Sequence, residues 1–286
     1  MSEGGSGRRS GRARPLPVRL IGTYGLLAIG SVLVAFPLLL ALAYSFMSES
    51  EIATFPPTIV PSKPTFDNYA SVLATIPIGR YLLNSFVVST AVVIGQLITA
   101  SLAAYAFSFL TFRGRSVLFF LFLSTLMIPW EATIIPNYIT IRAIGWLDSY
   151  QGLAVPFMAT AFGTFLLRQA FLQIPRELWD SARIDGASSL RFFLAMVLPL
   201  ARPALGTVAI YGFLSTYNQY FWPLLVTNQT LMRTTQVGIA QLRFEETLRW
   251  GLVMAGVIMV AVPTLALLVI GQRQLIRGLT AGAVKG

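Results

Sequence analysis

Six apolar stretches without a charged side chain divide this chain: Ile21–Phe46, Tyr81–Leu110, Ser116–Pro129, Tyr150–Leu167, Pro203–Val226 and Gly251–Gly271. A bilayer's hydrocarbon layer is about 30 Å thick, so a helical crossing needs about 20 mostly apolar residues. Most of the six meet that length. The third is the shortest. It either closes at Pro129 or continues past it as a broken or interfacial segment through Ile141. Only 11% of the residues are charged and 55% are hydrophobic. A soluble domain carries about a quarter charged residues, so most of this surface is not built to face water. The expected fold is an all-α integral membrane protein.

The charges between the runs predict orientation. The first tail holds Arg8, Arg9, Arg12, Arg14 and Arg19, and the turn after the second run holds Arg113 and Arg115. Arg168, Arg176, Arg183, Arg191 and Arg202 lie between the fourth and fifth runs, and Arg273, Arg277 and Lys285 follow the sixth. That side totals 15 basic residues, against 6 on the other: Lys63, Arg80, Arg142, Arg233, Arg243 and Arg249. The acids divide the opposite way, 4 against 7. Basic residues mark the cytoplasmic side, so six transmembrane helices with both termini cytoplasmic are expected. Residues 1–20 read as a basic cytoplasmic tail, 21–272 as the membrane domain and 273–286 as a second cytoplasmic tail. Met1–Arg19 has the charged start of a signal peptide, but the run after it is too long and lacks a suitably placed small-residue cleavage site. It is expected to be a retained first helix.

Several chemistries are removed by residue counts. There is no Cys and no His. Disulfides, thiolate metal sites and the commonest general base are therefore missing, and no metal site or catalytic residue is expected. The basic residues alternate with apolar runs and do not form one face, which argues against nucleic acid. None of the 11 acids lies well inside a run, which disfavours an ion-coupled secondary transporter. An intramembrane enzyme is left with only a Ser-based site.

The segment from Arg168 to Arg202 is too long and too apolar for a simple connection, which usually takes about 2–8 residues. Pro175 opens a helical pattern, and Glu177 falls in its first turn, where negative charge suits the dipole. Leu178, Ala182, Ile184 and Ala187 can form an apolar side, with Arg176, Asp180 and Arg183 elsewhere, and Asp185 stands where it can cap or pair locally. Gly186 can end or bend the helix. Leu190, Phe192, Phe193, Met196 and Val197 then resume the pattern up to Pro199. Two short helices with a tight joint are expected, presenting a partly apolar surface that another protein or the bilayer covers.

Glu177–Pro199 reads ELWDSARIDGASSLRFFLAMVLP. It resembles the cytoplasmic "EAA" loop of permease subunits of ABC importers, with pattern EAA-x3-G-x9-I-x-LP. The matching positions are Asp180-Ser181-Ala182, Gly186, Met196 and Leu198-Pro199, at the same spacing throughout. Asp replaces Glu, Ser replaces the first Ala and Met replaces Ile. Asn218–Leu225 (NQYFWPLL) is similar to the fifth-helix signature of carbohydrate-uptake permeases, and Gly278–Gly286 to the tail of the maltose-type short permease. Asp148-Ser149-Tyr150, Thr164–Gln169 and Tyr217–Leu225 resemble the short permease of the glycerol-3-phosphate importer most.

This resemblance implies a prokaryotic inner-membrane subunit that pairs with a second permease, two ATP-binding subunits and an extracytoplasmic solute-binding protein or lipoprotein. No G-x-x-x-x-G-K-[ST] loop occurs in the chain, so ATP and Mg are expected on the partner subunits and no cofactor on this one. Glu177, Asp180, Ser181, Ala182, Arg183, Asp185, Gly186, Leu198 and Pro199 become the expected coupling residues, within a coupling loop spanning 168–202 between helices 4 and 5. The solute path needs polar side chains inside the bundle. Asn218 and Gln219, beside Tyr217, Tyr220 and Trp222, are the candidates, and Pro223 predicts a broken helix there. Asn84 and Gln96 read instead as bonds between helices. A carbohydrate-type solute is expected, glycerol-3-phosphate or a glycerophosphodiester first, with a disaccharide such as maltose or trehalose as the alternative.

Overall fold

The computed structural model describes residues 18–243 and 249–280. Arg8, Arg9, Arg12 and Arg14 of the first tail, Glu245 and Glu246, and Lys285 of the last tail lie outside the described residues.

Among the described residues the chain is helical, without strands. In order the helices are α1 (Val18–Ser45), α2 (Glu49–Ile52), α3 (Asp67–Thr75), α4 (Ile78–Phe109), α5 (Arg115–Ser124) and α6 (Trp130–Ala143). Then come α7 (Tyr150–Ala154), α8 (Ala161–Phe171), α9 (Arg176–Ile184), α10 (Ser189–Phe192) and α11 (Leu198–Leu200). The last are α12 (Arg202–Tyr217), α13 (Phe221–Val226), α14 (Thr235–Gln241) and α15 (Trp250–Thr280).

Three of these, α1, α4 and α15, are long and apolar enough to cross a membrane unbroken. Three further stretches qualify only as bent pairs: Arg115–Met127 with Trp130–Ala143 at 96°, Tyr150–Phe157 with Ala161–Phe171 at 46°, and Ser189–Leu200 with Arg202–Tyr217 at 77°. Proline accompanies every bend. Pro129 keeps Ile128 extended (φ −81°, ψ 115°), because its ring crowds the preceding residue out of the helical region. Pro156 lies just before the second bend, and Pro199 and Pro203 flank the third. The third run therefore does continue past Pro129, as a second helix reaching Ala143. The fourth run is broken as well, and so is the fifth, where a broken helix was expected.

α4 is the central helix, packed against α12, α8, α14 and α7, while α12 and α1 also pack on α15. The buried side chains form three clusters along this framework. One joins α4, α8 and α12 to α9 and α10. A second, around Tyr81, Tyr217, Leu242 and Leu252, joins the other end of α4 to α3, α14 and α15. The third, around Val88, Leu153 and Trp222, joins α4 to α6, α7 and α13.

Two polar side chains tie α2 and α3 to the long helices. Asn68 donates through Nδ2 to the carbonyls of Ser45 (3.1 Å) and Met47 (2.7 Å), at the buried C-terminal end of α1. The Glu49 carboxylate accepts from the backbone N–H groups of Trp250 (3.1 Å) and Gly251 (2.9 Å). These are two of the donors that a helix start leaves unpaired, and a negative charge there also suits the helix dipole.

Candidate coupling element and solute path

The segment between α8 and α12 forms a helix, a tight turn and a second helix. α9 begins after Pro175 and ends in a residue with left-handed backbone, Gly186 at φ +75°. The Gly186 N–H bonds to the Arg183 carbonyl (3.1 Å) and the Ala187 N–H to the Ala182 carbonyl (2.9 Å). This pair of bonds closes a helix C-terminus when the residue after the cap can take positive φ, which glycine does without strain. Ser188 then caps α10, accepting from the Arg191 N–H at 3.2 Å. From Phe193 to Val197 the helix widens to a π turn. Pro199 has no N–H for the Ala195 carbonyl and its ring presses on it, and a π turn is one way to absorb that.

One side of this element is anchored. Trp179 packs on Phe192 with ring centroids 4.7 Å apart, Phe192 on Phe109 at 5.4 Å, and Phe193 on Tyr105 at 5.0 Å. The Tyr105 hydroxyl donates to the Ser189 carbonyl at 3.0 Å. Ala182 and Val197 are buried, and Leu178, Ala187, Met196 and Leu198 are packed against the same cluster. Trp179 escapes a reading based on Leu178 and Ala182, although its three-residue spacing to Ala182 puts it on their face.

The other side is open. Arg176, Glu177, Asp180, Ser181, Arg183, Ile184 and Asp185 are all exposed. Ile184 is 87% exposed and does not join the apolar side expected of it. Two residues beyond Ala182 is about 200° around a helix, so the two side chains point in nearly opposite directions. Asp185 is the C-terminal cap residue just after the helix, and its carboxylate has no partner among the described residues. Ser181 turns inward on its own helix, donating to the Glu177 carbonyl at 2.8 Å. Pro199 is half-buried at the far end of the element.

The path candidates separate into two groups. Tyr217 is 2% exposed, stacks on Phe213 at 5.7 Å and donates to the Val260 carbonyl at 3.3 Å. Trp222 is 1% exposed, between Trp130 and Phe157. Both rings are held inside this chain's own core. Asn218 is exposed, and Gln219 and Tyr220 are half-buried. α12 stops at Tyr217, so the break falls at Asn218–Tyr220, upstream of Pro223 and not at it. The proline ring leaves the carbonyl four residues earlier, that of Gln219, without its helical donor, and the break accommodates this by placing Pro223 in the first turn of α13. Asn218 closes α12, donating from Nδ2 to the Leu214 carbonyl (2.8 Å), and its Oδ1 accepts from Gln236 Nε2 of α14 at 3.2 Å. No spacing in the sequence announces Gln236.

The remaining polar groups lock the elements around this break. Asn84 Nδ2 donates to the carbonyls of Leu231 (2.8 Å) and Arg233 (2.9 Å), and its Oδ1 accepts from the Tyr150 hydroxyl at 2.7 Å. Gln96 Nε2 donates to the Phe157 carbonyl at 2.9 Å. Both are bonds between elements, as expected. Asp148, at φ +52°, accepts on one carboxylate oxygen from the N–H groups of Asn228 (2.6 Å) and Gln229 (2.8 Å).

Residues 96–277, which contain both the coupling element and the α12 break, match the family described as binding-protein-dependent transport system inner membrane component. The chain belongs to this family. The sn-glycerol-3-phosphate transport system permease protein UgpE of Yersinia enterocolitica is 36% identical over 262 residues, which are 89% of this chain and 93% of the relative. UgpE of Rhizobium meliloti is 36% identical over 275 residues, 93% of this chain and 97% of the relative. A chain from the crystal structure of a bacterial ABC transporter that imports the acidic polysaccharide alginate shares the fold, with TM-score 0.80 at 24% identity over 90% of this chain and 96% of that one. A chain from the alginate transporter in complex with its pentasaccharide-bound periplasmic protein gives TM-score 0.62 at 15% identity, over 88% and 92%. This family member is accordingly an inner-membrane ABC importer permease, as its "EAA" loop implied.

Proposed function

We propose that the importer carries sn-glycerol 3-phosphate or a glycerophosphodiester, delivered by an external binding protein. The observation that carries this reading is the 36% identity, over about nine-tenths of the chain, to permeases named for that solute. In this reading the chain crosses the membrane six times, each bent pair counting as one crossing, with both termini and the α9–α10 element in the cytoplasm. The 15-to-6 basic asymmetry supports that orientation. A second permease completes the pathway, and two partner subunits bind ATP and Mg.

The open face of α9, with Glu177, Asp180, Arg183 and Asp185, is the surface on which an ATP-binding subunit acts. Its back, through Trp179 and Ala182, is packed into the cluster shared by α4, α8 and α12. A push on α9 therefore moves those helices together, since a packed core transmits displacement without flowing. Gly186, Leu198 and Pro199 shape the rigid element and do not touch the partner directly. Such a lever can rock the bundle between inward-open and outward-open arrangements. On the opposite side, the interruption after Tyr217 exposes polar backbone and side chains at depth, which is tolerated where it lines a cavity. Asn218 and Tyr220 are the residues of this segment that meet the solute, while Gln219 supports the break.

The test is assembly and transport. The chain is co-expressed with its partner permease and ATP-binding subunit, purified as a complex and reconstituted with the binding protein. ATP-driven accumulation of radiolabelled sn-glycerol 3-phosphate is expected. Accumulation of maltose or trehalose in its place would overturn the choice of solute.

A further inference from the structure

Beside the α12 break, a cleft of about 210 Å³ opens between α13 and α14, lined in part by Tyr220, Asn228, Arg233 and Gln241. It continues past Tyr220 to Gln236 and Arg243. Two guanidinium groups line it and, among the described residues, no carboxylate does. Arg233 is half-buried, and none of the described acidic side chains pairs with it. A cation withdrawn from water without a counter-charge is costly. The rest of the polar lining also offers donors. Gln241 has its Oε1 occupied by the Tyr81 hydroxyl at 3.4 Å, which leaves its Nε2 to donate. Gln236 gives one Nε2 hydrogen to Asn218 and keeps the other. A described lining of cations and donors is suited to an oxyanion, and guanidinium groups bind phosphate oxygens in pairs.

We propose that this cleft receives the phosphate group of the solute as it enters the path, with Arg233 as the selectivity-determining cation. The inference rests on the importer reading above and adds to it a site and a charge requirement. The bond from Gln236 to Asn218 makes the cleft continuous with the α12 break, so the anion is held next to the polar segment proposed as the path. Arg243, exposed at the outer lip, draws the solute in by its long-range field. The same chemistry fits an anionic lipid headgroup, which vesicle composition separates from a solute.

The complete importer with its binding protein, reconstituted in phosphatidylcholine vesicles, provides the test, with radiolabelled sn-glycerol 3-phosphate as probe. Arg233→Gln is expected to raise the half-saturating concentration for uptake about tenfold, with the maximal rate less affected, and Arg233→Lys to recover part of the loss. Arg243→Gln, at an exposed position that folding does not depend on, is expected to weaken uptake at low salt and less so at high salt. Unchanged half-saturation in Arg233→Gln together with Arg243→Gln overturns the proposal, and so does equal loss in the glutamine and lysine variants. A defect that appears only when the vesicles contain anionic lipid assigns the cleft to a headgroup and overturns it too. A wild-type complex that imports a neutral sugar but no phosphate ester removes the solute assignment itself, a result distinguishable from an inert arginine in a working phosphate importer.

Discussion

The indole N–H of Trp222 donates to the carbonyl of Gly152 at 3.0 Å, binding α13 to α7. That carbonyl has no donor in its own helix, because the residue four positions on is Pro156. Both partners are buried. The bond therefore satisfies a backbone acceptor that would otherwise be orphaned in the bundle, and it fixes the chain just after the α12 break.

Trp222→Phe keeps most of the ring packing and removes the donor. The expected cost is about 1 kcal/mol, the usual scale for a side-chain hydrogen bond inside a membrane bundle. The thermal midpoint of the purified complex should fall, and uptake per assembled complex should be retained. A variant of full stability that transports poorly would instead mean that Trp222 touches the solute. Gly152→Ala should be worse, since its methyl group would run into the Trp146 carbonyl.

Gly186→Val tests the joint of the coupling element. Nothing lies within 4 Å of where a Cβ would sit, so the strain comes from the backbone at φ +75° and not from a clash. It amounts to about 1–3 kcal/mol for a β-branched residue. Transport should be lost while the permease still inserts, and Gly186→Asn, which tolerates left-handed backbone, should restore much of it. Normal stimulation of ATP hydrolysis by loaded binding protein in the valine variant would show that this turn is not part of the coupling.

Asn218→Ala removes both the cap on α12 and the partner of Gln236. Uptake should fall several-fold at unchanged complex yield, because one exposed cap is worth only about 1 kcal/mol to stability. Gln219→Ala, whose side chain is half-buried beside the break, should act mainly on yield. Dose–uptake curves for both variants decide the matter. An unaltered curve for Asn218→Ala would take it off the path.

The protein has no cysteine, which makes topology directly testable. Ser188→Cys and Gln229→Cys each replace an exposed residue. An impermeant maleimide should label position 229 from outside intact cells and position 188 only after the membrane is opened. Labelling of position 188 in intact cells would reverse the orientation.

What the sequence by itself determined is local. Charge-free runs and the uneven arginines follow from the solvent each segment faces, and they specify an all-α membrane protein. Pro175 and Gly186 act through their own dihedral preferences, so the helix–turn–helix of the coupling element was legible before any packing was known. Helical spacing from Ala182 also sufficed to turn Ile184 outward. The placement of Tyr217 and Trp222 was not legible in this way. A residue's direction depends on where its helix starts and stops, and α12 stops at Tyr217, well before Pro223. The decisive bonds also span long separations, Asn84 to Leu231 and Trp222 to Gly152, and no periodicity within one segment encodes which distant carbonyl will lack a donor. The arginine-lined cleft belongs to the same class. Tyr220, Arg233 and Gln241 meet only because α13 and α14 fold back on the end of α4, a consequence of tertiary packing that brings unrelated local sequences to one surface.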